Sequence, residues 1–182
     1  TMQVFYGSRA NGETFHTALI RGGGMGAGAT TDGVGSFVFP ANGANTPVEI
    51  FESDTPLMIR CRELIPDSGG AGKHRGALGR REIIEIPDGA DAPRGAVSLA
   101  IQSGRFQLAP EGLFGGCNGE LATFKVNGRT GNPYGLTRLR AGDVVELSGG
   151  GGGGFGPPAE RDPEALAKDV AGGRVTAEHA RS

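Results

Sequence analysis

The chain has 182 residues, enough for one domain with a sizeable core and too few for two. Its 18 basic residues nearly cancel its 20 acidic ones, and the net charge of −2 supplies no drive toward nucleic acid or an anionic membrane. The 35 glycines and 11 prolines follow no triplet period, which excludes collagen, and the short Val/Ile/Leu/Phe segments between them oppose disorder; what remains is a β domain rich in turns.

In chain order, residues 3–6 and 14–20 read as two strands around Arg9-Ala10-Asn11-Gly12-Glu13, where Asn-Gly is a strong hairpin signal. The Gly-rich loop Arg21 to Gly28 runs into Asp32-Gly33. A short strand is expected over 34–39 and a polar turn over 42–47. Residues 47–52 and 57–64 read as extended, separated by Ser53-Asp54-Thr55-Pro56. After the long polar loop 66–76, residues 80–86 alternate charged and apolar side chains, as a half-exposed strand does. A turn at 88–93 and strands at 96–102, 121–126 and 143–147 follow, with Asn127-Gly128 as a second hairpin turn. Six consecutive glycines come next, Gly149 to Gly154. A flexible linker mixes Gly with Ser and lacks defined flanks; these flanks are specific, so the run is expected to be an ordered loop in which main chain meets main chain. The helix signal is late: Asp162 as N-cap, Pro163 in the first turn, Glu164 to Val170, and Gly172-Gly173 as the stop. Thr176 is placed to cap a second short helix. The expected fold is mainly β, a Gly-rich β-sandwich or barrel-like domain over 1–156, with one or two short C-terminal helices in a helical tail over 157–182.

No familiar catalytic motif is present. The loop Gly22–Gly28 lacks the following helix of a dinucleotide fingerprint, and Gly69-Gly70-Ala71-Gly72-Lys73-His74 lacks the first glycine and the final hydroxyl of a phosphate loop. His16, His74, His179, Asp32, Asp67, Cys61 and Cys117 fall at no metal-ligand spacing, so no metal is assigned to this chain. His16 reads as an ordinary strand residue and His179 as solvated, whereas His74, in a Gly/Arg loop, is placed to meet an anionic group. There is no nucleophile elbow; Ser68 and Asp67 read as turn formers. Lys73, Arg75, Arg80 and Arg81 lie among Glu63, Asp67, Glu82 and Glu85, which predicts a salt-bridged, partly buried junction. Glu49 and Glu52 would point to opposite sides of a strand and form no catalytic pair. The two cysteines read as thiols in a reduced cytoplasm. No run approaches the ~20 apolar residues of a membrane span, and Thr1-Met2-Gln3-Val4 carries no signal-peptide pattern. Because the chain starts with Thr on a strand-like stretch, it is expected to begin inside a larger protein.

Four stretches together carry a resemblance. They are Gly22-Gly23-Gly24-Met25-Gly26-Ala27 with Asp32-Gly33; Asn45-Thr46-Pro47-Val48-Glu49-Ile50-Phe51-Glu52; Asp67 to Gly76 with Gly79 and Arg81-Glu82; and Gly149 to Gly156 with Glu160-Arg161-Asp162-Pro163-Glu164 and Asp169-Val170. Pro110 to Gly116 and Gly142-Asp143 fit between them. In this order they resemble the C-terminal part of the hydantoinase B / 5-oxoprolinase family across nearly the whole chain. Many members continue into an Arg/Asp-Tyr-Gly-Val-like ending where this chain stops at Ala180-Arg181-Ser182, so the tail is expected to be clipped.

The resemblance implies a part of a larger cytoplasmic enzyme that couples ATP hydrolysis to opening a small cyclic amide. Two alternatives stay open: ATP-dependent carboxylation of acetone or acetophenone, and a structural module that docks the hydantoinase A-type partner. It also implies ATP and a divalent metal in the complete enzyme, with neither on this stretch alone. The partners implied are a hydantoinase A-type subunit or domain and the remaining N-terminal part of the hydantoinase B-type polypeptide, without which the chain is expected to be inactive. An amide carbonyl is a poor electrophile; phosphorylating its oxygen creates a leaving group, and positioned donors lower the barrier to water attack. Asp32, His74 and Arg75 are the candidate site residues, the last two as stabilisers of developing negative charge.

Overall fold

The computed structural model describes residues 1–38, 43, 45–89 and 92–181. Residue 39 of the expected strand, residues 42 and 44 of the polar turn, residues 90 and 91 of the turn at 88–93, and Ser182 lie outside them. In chain order the strands are β1 (Met2–Ser8), β2 (Thr14–Ile20), β3 (Met58–Leu64), β4 (Arg80–Glu85), β5 (Val97–Gln102), β6 (Thr123–Val126), β7 (Arg129–Thr130), β8 (Thr137–Leu139) and β9 (Val144–Ser148). The helices are α1 (Val48–Asp54) and α2 (Pro163–Ala171). The protein is mainly β, with two antiparallel sheets ordered β2-β1-β5-β8 and β3-β4-β9-β6-β7, and neither closes into a barrel.

Both expected hairpins form. Between β1 and β2, Gly12 takes φ 91° and Asn11 Oδ1 accepts the Glu13 N–H at 3.0 Å. Between β6 and β7, Asn127 and Gly128 have φ 50° and 76°, both positive as a type I′ turn requires. One core joins the sheets: Phe5, Phe15, Leu19, Val97, Leu99 and Leu139 from the first, Ile84, Phe124, Val145 and Leu147 from the second. The inward face of β4 reads Arg80, Glu82, Ile84, all buried. Glu82 lies opposite Leu147 and Ile84 opposite Val145 on β9, so the interior grades from apolar at one end to charged at the other.

Residues 47–52, expected to be extended, instead begin helix α1. Phe51 is 2% exposed and sets its ring edge-on to Phe5 at 6.1 Å. Thr55 Oγ1 donates to the Phe51 carbonyl, and the Glu52 carboxylate accepts the Ile59 N–H at 2.8 Å. The alternation of Val48 and Ile50 with Glu49 imitates a strand, but one aromatic anchor in the core outweighs that local pattern. Glu49 and Glu52 are therefore neighbours at i and i+3 on a helix rather than residues on opposite strand faces. The strand expected at 34–39 also does not form within its described part. Among the described residues, Phe37 and Val38 form isolated antiparallel bridges, to Gly23 and Gly43, in place of a strand.

The six glycines leave β9 as a rod at the centre of the loops. The N–H groups of Gly149 and Gly152, three apart, donate to the Arg80 and Ala77 carbonyls at 2.8 and 2.8 Å. Gly151 and Gly154, also three apart, both lie against the segment from Ser68 to Ala71. This threefold repeat is the periodicity of a polyproline II-type helix. Around the rod, Gly70 donates to Gly152, Ala27 to Gly153, and Leu113 to Gly154. A Cβ on any residue from Gly150 to Gly154 would come within 3.0 Å of a backbone carbonyl oxygen of another segment. Among the described residues, no helix is long and apolar enough to cross a membrane. Cys61 and Cys117 are both free thiols.

Candidate functional site

The late helix forms where the capping signals put it. Asp162 accepts the Glu164 N–H at 3.0 Å, and Gly172 and Gly173 end α2, the latter with φ 65°. Thr176 begins a short 3-10 turn over His179–Arg181, its hydroxyl accepting the His179 N–H at 3.2 Å. These elements roof a cleft of about 540 Å³. Its floor is the backbone of Gly69 to Gly72 against the rod; Leu166 and Val175 give an apolar wall, Arg75 and Arg161 a polar one, and Cys117 and His179 also border it.

Asp32, His74 and Arg75 converge beside this cleft. Asp32 Oδ1 accepts the backbone N–H of Arg75 at 2.8 Å, and His74 Nδ1 lies 3.9 Å from the same oxygen. Arg75 Nε and Nη2 grip the two oxygens of Asp169 at 3.0 and 3.3 Å, while its Nη1 donates to the Gly76 carbonyl at 2.6 Å. Arg161 spans the two carboxylates. Its Nη1 and Nη2 meet Asp32 at 3.0 and 2.9 Å, and Nη2 also donates to Asp169. Arg174 Nη1 stands 3.6 Å from Asp169. The cluster is a clasp joining the loop at Asp32, the Gly-rich loop at His74 and helix α2.

Burial alone would raise the Asp32 carboxyl. Hydrogen bonds from the Arg161 side chain and the Arg75 N–H, with both arginine charges, outweigh it and hold the group below the ordinary carboxylate value. Arg161 is pushed upward, chiefly by its hydrogen bond to Asp32. Every guanidinium nitrogen of Arg75 is committed, so its aim is set by Asp169 rather than by the cleft. Arg161 and Asp169 were missed as site members, although their stretch belongs to the C-terminal motif. Their sequence signal was the N-cap: once Asp162 starts the helix, Asp169 is carried about two turns along it, back over Arg161.

The basic cluster does not form one junction. Lys73 pairs with Glu160 at 3.4 Å, Arg75 with Asp169, and Arg81 with Glu63 at 2.7 Å, while Glu85 is taken by Arg60. Strand alternation separates them: Arg80 points into the core and Arg81 away from it. His16 lies exposed on β2, and His179 is exposed at the end of the tail.

A family model described as hydantoinase B/oxoprolinase matches residues 1–158, and the chain belongs to that family. It is 32% identical over 148 residues to a putative D-/L-hydantoinase B-type subunit of Pseudomonas sp. (strain NS671), covering 77% of this chain and 24% of the relative. It is 34% identical over 150 residues to 5-oxoprolinase 1 of Arabidopsis thaliana, covering 79% of this chain and 11% of the relative. The chain thus spans a quarter or less of these relatives. The crystal structure of an ATP-dependent caprolactamase from Pseudomonas jessenii superposes with a TM-score of 0.79 at 22% identity, over 99% of this chain and 33% of that one; at that identity the likeness establishes the fold.

Proposed function

We propose that this chain is part of an ATP-dependent enzyme that opens small cyclic amides, of the hydantoin or 5-oxoproline kind. The observation that carries the proposal is the family match through residues 1–158, with relatives named as hydantoinase and 5-oxoprolinase. The cleft agrees in size with a small-molecule site. Its combination of glycine backbone, apolar wall and polar wall suits a small ring that carries amide C=O and N–H groups beside saturated carbon.

The chain's own contribution is shape and position. Asp32 and Arg75, with Arg161 and Asp169, hold α2 over the cleft. His74, 22% exposed at the side chain, stands beside the Asp32 carboxylate at the edge of the clasp rather than in the lining of the cleft, and is the member proposed to meet developing negative charge. Among the described residues no three His, Cys, Asp or Glu side chains converge. ATP and a divalent cation are assigned to the rest of the enzyme: a hydantoinase A-type partner and the remainder of the hydantoinase B-type polypeptide, in the cytoplasm.

The test uses the assembled enzyme with ATP and, in turn, 5-oxoproline, hydantoins, caprolactam, and acetone with bicarbonate. The expected result is ATP-dependent opening of at least one cyclic amide, abolished when the A-type partner is omitted. Carboxylation of acetone with no ring opening would replace the proposal by a ketone carboxylase. Turnover by this chain alone would overturn the division of labour.

A further inference from the structure

The charged end of the β core holds three arginines around one carboxylate. Arg21, Arg80 and Glu82 are 4%, 6% and 1% exposed. Glu82 meets Arg62 Nε at 2.7 Å and Arg21 Nε at 3.1 Å, the second as an ion pair without a directed hydrogen bond. The other contacts are neutral acceptors. Arg21 Nη2 donates to the Leu147 carbonyl at 3.1 Å, Arg62 Nη1 to Thr46 at 2.7 Å, and Arg80 Nη1 to Asn45 Oδ1 at 2.7 Å. Arg21 Nη1, Arg62 Nη2 and both Nε and Nη2 of Arg80 are buried without an acceptor among the described residues.

The open edge of Arg80 is the informative one. Nε and Nη2 form the side of a guanidinium that takes a carboxylate in two parallel hydrogen bonds. In this protein Arg75 uses that edge to grip Asp169, and Arg60 uses it to grip Glu85. Arg80 presents the same edge, buried, with no acceptor on it among the described residues. Three guanidinium charges face a single carboxylate, and interior water would satisfy donors without balancing charge. Burial pushes the Arg21 guanidinium down to about 10; Glu82 opposes this, and Arg80 and Arg62 reinforce it. Arg21 also borders a cavity of about 770 Å³ with Gly23, Gly24 and Arg105, on residues distinct from the α2 cleft, whereas Arg80 and Arg62 lie behind it, outside its lining.

We propose that Arg80, with Arg21 and Arg62, forms a carboxylate-binding site. The open fork of Arg80 takes both oxygens, and Arg21 Nη1 and Arg62 Nη2 supply the remaining donors. The carboxylate comes from a free small acid or from an Asp or Glu side chain of another segment of the assembled enzyme. The site stands apart from the amide-opening proposal and does not depend on it.

Two measurements on the assembled enzyme test it. In thermal unfolding with sodium formate against sodium chloride at equal ionic strength, a free-acid site gives a saturable rise in Tm with formate alone. Arg80→Gln should weaken the apparent formate affinity by about tenfold or more, Arg80→Lys should weaken it while keeping the charge, and Glu82→Gln should strengthen it. Crystal structures grown without carboxylate buffers and then soaked in formate give the second readout. Formate on the Arg80 edge supports a free acid, and an Asp or Glu side chain there, with no formate effect on Tm, supports a protein carboxylate. Water alone on that edge in both crystals, or a formate response unchanged in Arg80→Gln and Arg80→Lys, overturns the proposal.

Discussion

Asp169 carries more of the clasp than any other side chain, since it balances Arg75 and Arg161 at once while 4% exposed. Removing one partner of a buried pair leaves an uncompensated charge. Asp169→Ala is therefore expected to lower unfolding stability by about 3–5 kcal/mol in urea titrations, and a loss under about 1 kcal/mol would show that water reaches the clasp freely. Asp32 gives a pH signature. Its folded pKa lies below the unfolded one, so its contribution is complete above the ordinary value of 3.8 and is lost as pH falls through the depressed folded value. Asp32→Asn should flatten that part of the acid limb of a Tm–pH curve, and an unaltered limb would contradict the assignment. Asp32, His74 and Arg75 were legible as candidates because they sit in the Gly-rich motifs. That Arg75 is bound rather than free could not be read, since its carboxylate is 94 positions away.

At the level of elements, local chemistry placed the two hairpins and α2, because each has a turn or cap whose residues act on their own neighbours. Asp162→Ala is expected to cost about 1 kcal/mol, in line with loss of an N-cap, readable by denaturant midpoint. Helix α1 eluded sequence reasoning because its stability comes from Phe51 entering the core. Phe51→Ala should cost about 3–5 kcal/mol; a small effect would mean that α1 is held by its ends alone. For the glycine rod, Gly152→Ala puts a methyl against the Met25 carbonyl, whereas a Cβ on Gly23 meets nothing within 4 Å. The first substitution should destabilise by about 1–3 kcal/mol or more, the second by no more than about 1 kcal/mol. Equal effects would remove the argument that the run is fixed by close backbone contact.

Across the whole molecule, the rod ties segments from Ala27 to Cys117 into one body through main-chain hydrogen bonds. No loop can leave without exposing the donors and acceptors of another, so the loop layer and the two-sheet core should melt together. Denaturant unfolding followed by amide circular dichroism and by tyrosine fluorescence is expected to give coincident, single transitions. Separate transitions would make the loop layer an independent unit. Dependence on pairings distant in sequence also predicts slow folding.

By itself the sequence determined what depends on neighbours and order: the β character, the hairpins, the N-cap of α2, the ordered glycine run and the family. Turn geometry, capping and strand alternation act over a few residues, and motif order survives in the chain itself. Tertiary structure alone decided that α1 is a helix, that Arg75 is clasped by Asp169 and Arg161, and that Arg80 lies buried with an open edge. Each of these turns on burial and on charges brought together from far along the chain, where removal of water sets the energy and no local pattern records the partner.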